Sequence, residues 1–372
     1  MESQMSIWNA VEPKKRIYLW IWAGLMTAVY LAIGLLSTSV VHGERSASAR
    51  SHELRMSPDK VEAGHTPPDA LPEKGDFVPV SIGIYIDGIE NFSIRDSFWT
   101  TTFFIWFRWS GDRALDPGKN FQLVDAKIDK KELLEEHFGP DGTNYQRYRV
   151  AARVTKFFNT TRVPLDDHML NLYVEDGSRD ASRLRYVADP ESNISSRVKV
   201  PGYDITGTGT VVKSHTYKSA YGDPRASKGD RKTFTEFAYA VSVKRTSMGV
   251  YFKAFIGLFA GMLLTFTSFA IRASEGGPRV SMPVGSYFGA VANSYLVGSM
   301  LPSSGQFGLV EYVSFLGLFT IFTCLAATVL SMYVWHIVGD KELSRAFDRV
   351  TAVTIGIGYL VINIVLPFSA YT

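Results

Sequence analysis

"GGPRVSMPVGSYFGAVANSYLVGSMLP", residues 276–302, is apolar enough to lie in a membrane, yet it carries Ser281, Ser286, Asn293, Ser294 and Ser299 among several glycines. Hydrocarbon offers no hydrogen bonds, so a helix surrounded only by lipid gains nothing from hydroxyls and an amide. Such a helix either packs closely on other helices through its small residues or faces water. The rest of the chain has to be read with that choice in view.

Four further segments, 17–36, 250–271, 309–338 and 350–370, are long apolar runs. About 20 residues cross a bilayer, so with 280–301 the sequence predicts five spans. The first follows Lys14-Lys15-Arg16. Residues 1–42 read as a retained N-terminal transmembrane anchor, or else as a signal segment, and the small-x-small site Ala47-Ser48-Ala49 lies well past the apolar run. With residues 44–249 outside, Arg272 and Arg279 fall in an inside loop, as do Lys341, Arg345 and Arg349. The outside loop 302–308 has no Lys or Arg, so every short loop follows the positive-inside bias.

Residues 43–76 are rich in Ser, Ala, Pro, Gly and charge and predict a flexible linker. From 77 to 245 the period is two, as in "VPVSIGIYID" and "SFWTTTFFIWFRW", with turn clusters such as Gly139-Pro140-Asp141-Gly142 between the runs. Seven to ten strands in an antiparallel all-β sandwich are expected, with only 130–138 as a short helix.

The 372 residues carry a net charge of +3, too small a bias to imply nucleic acid. Cys324 is the single cysteine, so no intrachain disulfide forms. No zinc-type Cys/His spacing, phosphate loop or nucleophile elbow is present, and His137, His168 and His215 have no metal-ligand spacing. The sequence therefore predicts no enzyme, no cofactor and no metal, with those histidines solvated or packed.

Three stretches sharpen the function. "FFIWFRWSGD" ends a strand in Trp109 with Asp112 nearby, and "TRVPLDDHMLNLYVED" contains a Pro164-Leu165-Asp166 turn. Arg279 and Pro302 stand 23 residues apart and bracket the opening stretch. On these motifs residues 77–371 resemble the pentameric ligand-gated ion channels, the Cys-loop receptor superfamily, in its prokaryotic cysteine-free form. Val163 stands where that family usually has an aromatic residue, and the flanking cysteines are absent.

The resemblance implies an Ig-like periplasmic sandwich over 77–245. An all-α four-helix transmembrane channel domain would follow over 246–372. It implies a homopentamer, each chain meeting four further copies of itself in the lipid bilayer of a bacterial inner membrane. Permeant ions would pass Ser281, Gly285, Phe288, Ala292, Tyr295 and Ser299, with Phe288 a dewetting constriction. Ser286 and Asn293 point one position away from that register. Either the pore face is rotated or those two side chains meet a neighbouring helix.

Pro164, Asp166, Arg245 and Pro302 would couple the sandwich to the pore, Asp166 pairing with Arg245. A small-molecule ligand or a proton would act in the cleft between adjacent sandwiches. Tyr217, Tyr221 and Arg225 of a capping hairpin, Phe104 and Trp106 of a facing strand, and Glu175 and Asp176 of a loop would line it. The first channel helix has no proline, Lys253 sits in its outer turn, and no acidic ring brackets the pore helix. Glu275 and Pro278 give opposite hints, leaving charge selectivity open. The alternative is a non-conducting membrane-anchored sensor or scaffold of the same architecture.

Overall fold

The computed structural model describes residues 10–62, 65–70, 75–222, 224, 231–302 and 307–371. It divides into two compact units, Met1–Ser46 with Thr160–Asp166 and Ser247–Thr372, and Ala47–Asn159 with Asp167–Thr246.

In the second unit the period-two runs form ten strands among the described residues. These are β1 (Val78–Ser93), β2 (Phe98–Ser110), β3 (Phe121–Val124), β4 (Ala126–Phe138), β5 (Thr143–Thr155), β6 (Asp167–Asp176), β7 (Leu184–Ala188), β8 (Asn193–Ile194), β9 (Tyr203–Tyr217) and β10 (Lys232–Arg245). One sheet has six strands, ordered β4-β5-β2-β1-β7 with β8 also on β1, and the other four, ordered β3-β6-β10-β9. Alternation turns Val80, Ile82 and Ile84 of β1 and Phe103, Ile105 and Phe107 of β2 inward. They share one apolar core with Leu170, Leu172 and Val174 of β6 and Phe237, Tyr239 and Val241 of β10. Removing such apolar side chains from water is the main favourable term in folding. Gly83 sits opposite Trp106. A Cβ there would collide with the indole, so this glycine lets the ring lie flat across β1.

Three expectations are corrected. Residues 130–138 are strand, within β4, rather than helix. Lys, Glu and Leu favour a helix by only a few tenths of a kcal/mol, which the antiparallel ladder to β5 overrides. The sheets are not wholly antiparallel, because β7 and β8 both run parallel to β1. After β6 the chain crosses between sheets and enters beside β1 in the same direction. The start of the expected linker 43–76 is also helical, since α1 (Pro13–Met56) continues through it. No proline interrupts 43–56, and Ser46 donates back to the His42 carbonyl at 3.1 Å. Beyond α1, Glu62 accepts from Arg55 at 2.9 Å, and Lys213 Nζ donates to the Leu54 carbonyl at 2.6 Å.

The first unit consists of helices. After α1 come α2 (Gly249–Thr267), α3 (Gly276–Gly298), α4 (Leu309–Tyr333) and α5 (Lys341–Tyr371). Four helical stretches, Pro13–Met56, Gly249–Ala270, Leu309–Val338 and Lys341–Tyr371, are long and apolar enough to cross a membrane. Their outward faces carry Leu31, Ile256, Leu263 and Ile357, all exposed. The chain is a membrane protein. α3, the fifth span expected from the sequence, is a 23-residue helix whose serines, glycines and Asn293 keep it below that apolarity.

α1 joins this unit through polar as well as apolar contacts. Tyr30 and Thr320 share a hydroxyl hydrogen bond of 2.7 Å, and Trp22 Nε1 donates to Thr351 Oγ1 at 3.0 Å. The segment Thr160–Asp166 belongs to the same unit. The Leu309 amide donates to the Thr161 carbonyl at 2.7 Å. A Cβ on Gly308 would lie 2.6 Å from that oxygen, so the close approach requires glycine.

One cation in the sheet unit lends itself to a test. Lys156 is half-buried beside a cavity, and its ammonium donates to Asn171 Oδ1 at 2.7 Å. Burial, helped by the charge of Arg55, pushes its pKa down to about 7 from 10.5. Between pH 7 and 10.5 the unfolded chain therefore holds more protons than the folded one, and stability rises with pH across that window. Below pH 7 the full cost of burying the ammonium remains. Lys156→Met is expected to stabilise the sheet unit at pH 6, on the order of 1–2 kcal/mol, and the gain should fade by pH 10. Thermal unfolding at both pH values checks this, and a gain independent of pH would contradict it.

Candidate functional site

Three surfaces gather the residues singled out by the sequence. The first is α3. Asn293 packs against Gly257 of α2, where a Cβ would come within 2.9 Å of its Oδ1, and Gly261 faces the backbone of Ser286. Ser286 is buried and donates to the Met282 carbonyl at 2.9 Å. Gly257 and Gly261 are four residues apart on α2, the small-xxx-small spacing of close helix packing. The Ser286–Asn293 stripe therefore meets a neighbouring helix. Ser281, Gly285, Phe288, Ala292, Tyr295 and Ser299 all lie on the open face of the chain, with Phe288 67% and Tyr295 81% exposed. Arg279, which marked the helix start in sequence, points the other way. It is wholly buried, with Nη1 donating to the Ile271 carbonyl at 2.9 Å and Nη2 to Asp348 of α5.

The second surface is the outward face of the six-stranded sheet. Since Phe103, Ile105 and Phe107 point to the core, Phe104, Trp106 and Arg108 point away from it. They line a cleft of about 550 Å³ with Tyr85, Tyr145 and Arg147. The Trp106 indole N–H donates to Asp189 Oδ2 at 2.9 Å, and Arg108 pairs with the same carboxylate. The indole is thus pinned with its plane against Gly83. Arg149 stands 5.9 Å from the Phe104 ring centroid, so the protein already places a cation at that ring. Asp189 escaped the sequence reading because it lies on a loop, far along the chain from the strand it fixes.

The third surface is the outward face of the four-stranded sheet. Val174 and Phe237 point to the core, which turns their neighbours Glu175 and Glu236 outward. Register puts Lys213 opposite Glu236. His215 Nδ1 lies 2.6 Å from Glu175 Oε1 and 3.6 Å from Glu236 Oε2, and the Tyr217 hydroxyl donates to Glu175 Oε2 at 2.7 Å. The hydrogen bond to Glu175 raises the His215 pKa against the opposing effect of burial. Burial beside Glu175 pushes Glu236 up to about 7, while burial and the bond to Glu175 raise Tyr217. Sequence reading took Tyr217 and Glu175 as ligand-cleft residues and His215 as solvated or packed. The structure joins all three with Glu236 in one cluster. In the β9–β10 register Lys213 stands opposite Glu236 and His215 opposite Phe234, which puts His215 on the same face as Lys213, diagonal to Glu236.

The remaining expected ligand residues scatter. Asp176 is buried and closes its own turn, its Oδ1 accepting from the Ser178 and Arg179 amides at 2.9 and 2.7 Å. Tyr221 is 64% exposed, with its ring 5.5 Å from that of Tyr217. Arg225 lies outside the described residues. In the helix unit, Pro164 follows a cis peptide bond, Leu165 is buried in the helix core with Leu309 and Val310, and Asp166 is buried. Pro302 is half-buried beyond the end of α3. In the sheet unit, the Arg245 guanidinium stands 4.1 Å from the Tyr203 ring centroid. Trp109 Nε1 donates to the Asp112 carbonyl at 3.0 Å, which links the two residues of the first motif.

No family model matches the chain, and no curated protein matches it.

Proposed function

We propose that this chain is one subunit of a homopentameric ligand-gated ion channel in a bacterial inner membrane. The sheet unit is an Ig-like periplasmic ligand-binding sandwich. Helices α2–α5 form the four-helix channel layer, and α1 is a retained additional span. The observation that carries this reading is the open face of α3. Its six carried-over positions are all exposed while the competing Ser286–Asn293 stripe is packed against α2. A helix this rich in small and hydroxyl residues gains from having that face covered or wet, and copies arranged about an axis would provide both.

The ligand surfaces support the same reading. Phe104 and Trp106 lie on the outward face of one sheet, and Tyr217 and Glu175 on that of the other. A cleft that combines them takes one face from each of two adjacent copies. A ligand there biases gating only by its different affinity for the closed and open states.

Asp166 and Arg245 are proposed as the coupling pair. Asp166→Ala and Arg245→Ala are each expected to impair assembly or gating, by up to ~3–5 kcal/mol if the pair is buried. The double variant should fall well short of the sum, and strict additivity in a double-mutant cycle would exclude the pair.

A non-conducting sensor or scaffold is the second reading. It is favoured by the hydroxyls of Ser281, Ser286, Ser294 and Ser299, each of which bonds back to a carbonyl of α3 itself. Light scattering of the purified full chain in detergent should give a five-subunit particle, and planar bilayers should show unitary currents on ligand or pH steps. A monodisperse monomer would overturn the assembly. A five-subunit ring that stays silent even when Phe288 is replaced by serine would favour the scaffold.

A further inference from the structure

The cluster on the four-stranded sheet shares Glu175 with the proposed ligand cleft but adds His215 and Glu236, which that reading does not use. Glu175, His215 and Glu236 come from β6, β9 and β10, and one ligand atom from each lies within 4.8 Å of the other two. We propose that these three side chains bind a zinc ion, one per subunit, on the outward face of the four-stranded sheet.

The geometry needs little adjustment. Tetrahedral zinc with bonds of about 2.0–2.1 Å spaces its ligand atoms by roughly 3.3 Å. His215 Nδ1 to Glu236 Oε2 is already 3.6 Å, while Nδ1 to Glu175 Oε1, at 2.6 Å, is a hydrogen bond that must open. The ion takes the place of the proton now shared there, and the ring keeps its N–H on Nε2. The Tyr217 hydroxyl, bonded to Glu175 Oε2, fixes the carboxylate from behind, the usual service of an outer-shell partner.

The charges favour a cation. Glu175 is fully buried, and Glu236 has only 13% of its side chain exposed. The Glu236 side chain makes no hydrogen bond among the described residues, and its ion pair is with His215. The nearby bases are occupied, Lys213 by the Leu54 and Lys60 carbonyls and Arg55 by Glu62. His215 and Glu236 line a cavity of about 420 Å³ that also contains Asp125, which gives an ion room to enter and a water its fourth position. Two carboxylates with one imidazole suit a borderline ion such as zinc, whereas calcium and magnesium favour all-oxygen sets.

The test is calorimetric titration of zinc chloride into the chelator-stripped full chain in detergent. One saturable ion per chain is expected, with Glu236→Gln and His215→Ala each weakening uptake at least tenfold. His65→Ala, which alters an exposed ring at the rim of the same cavity, should leave uptake unchanged. Cobalt(II) substituted into the wild-type chain should show the intense visible bands of a four-coordinate ion, a readout that needs no variant to fold. Equal isotherms for wild type and Glu236→Gln would overturn the proposal. So would loss of uptake with His65→Ala alone, or only six-coordinate cobalt bands. None of these readouts measures conduction, so the zinc site and the channel reading stand or fall separately.

Discussion

A Phe288→Ser subunit is expected to conduct at rest. Phe288 projects from the open face of α3 near the middle of the helix, and nothing in its own chain covers most of the ring. Five such rings around an axis would present a constriction without groups to hold water, and a pore that narrow and apolar empties. Serine removes the ring and adds a hydroxyl, so the constriction widens and wets together. The expected result is leak current without ligand in planar bilayers and toxicity on expression. Ser286→Ala, on the face against α2, should change stability without leak. Conduction from a change at Ser286 or Asn293 but not at Phe288 would mean that the water-facing side is the one this structure packs against α2.

The second large effect is expected at Arg279 and Asp348. Both side chains are buried among α3, α5 and the segment after α2, and Arg279 Nε has no hydrogen-bond partner among the described residues. Breaking a buried pair leaves a charge that neither lipid nor protein can compensate. Arg279→Met or Asp348→Leu alone is therefore expected to cost ~3–5 kcal/mol. The double variant should recover most of that loss, because an apolar pair of similar volume needs no solvation. Detergent size exclusion and thermal unfolding measure it. Single variants as stable as the wild type would show that the ion pair holds nothing together.

How much was legible in advance depended on how many forces agreed at each place. In β5 and β10 apolar residues alternate with polar or small ones, and in β2 β-branched and aromatic residues run throughout, so propensity and burial gave the same answer. In β4 they conflicted. Lys130, Lys131, Glu132, Leu133 and Glu135 are good helix formers, and only the partner strand β5, invisible to local reading, decides for strand. The rotation of α3 was undecidable from sequence because serine, glycine and asparagine suit both a water-filled pore and a tight helix contact. In the structure Gly257 and Gly261 on α2 lie against Asn293 and Ser286, a contact that no local reading supplies. The zinc cluster was hidden for a different reason. Metal motifs are recognised by short spacing along the chain, whereas Glu175, His215 and Glu236 come together across three strands.

β4 also bears on how copies of this chain avoid one another. It is the rim of the six-stranded sheet, and among the described residues no strand pairs with its far side. Left bare, such a rim invites any second copy to zip on and extend the sheet without limit. Here the rim bristles with Lys127, Asp129, Lys130, Glu132, Glu135 and Glu136, and its ladder is twice thrown out of step, at Ile128/Lys130 and at Leu133/Glu135. A stranger docking there would have to dehydrate those charges along a bent track. Where many identical chains crowd the same patch of membrane, that penalty steers encounters away from open-ended stacking. A closed ring of the kind proposed would need its subunits to refuse every wrong handshake as well as to accept the right one, and on this chain such a refusal is written along one strand.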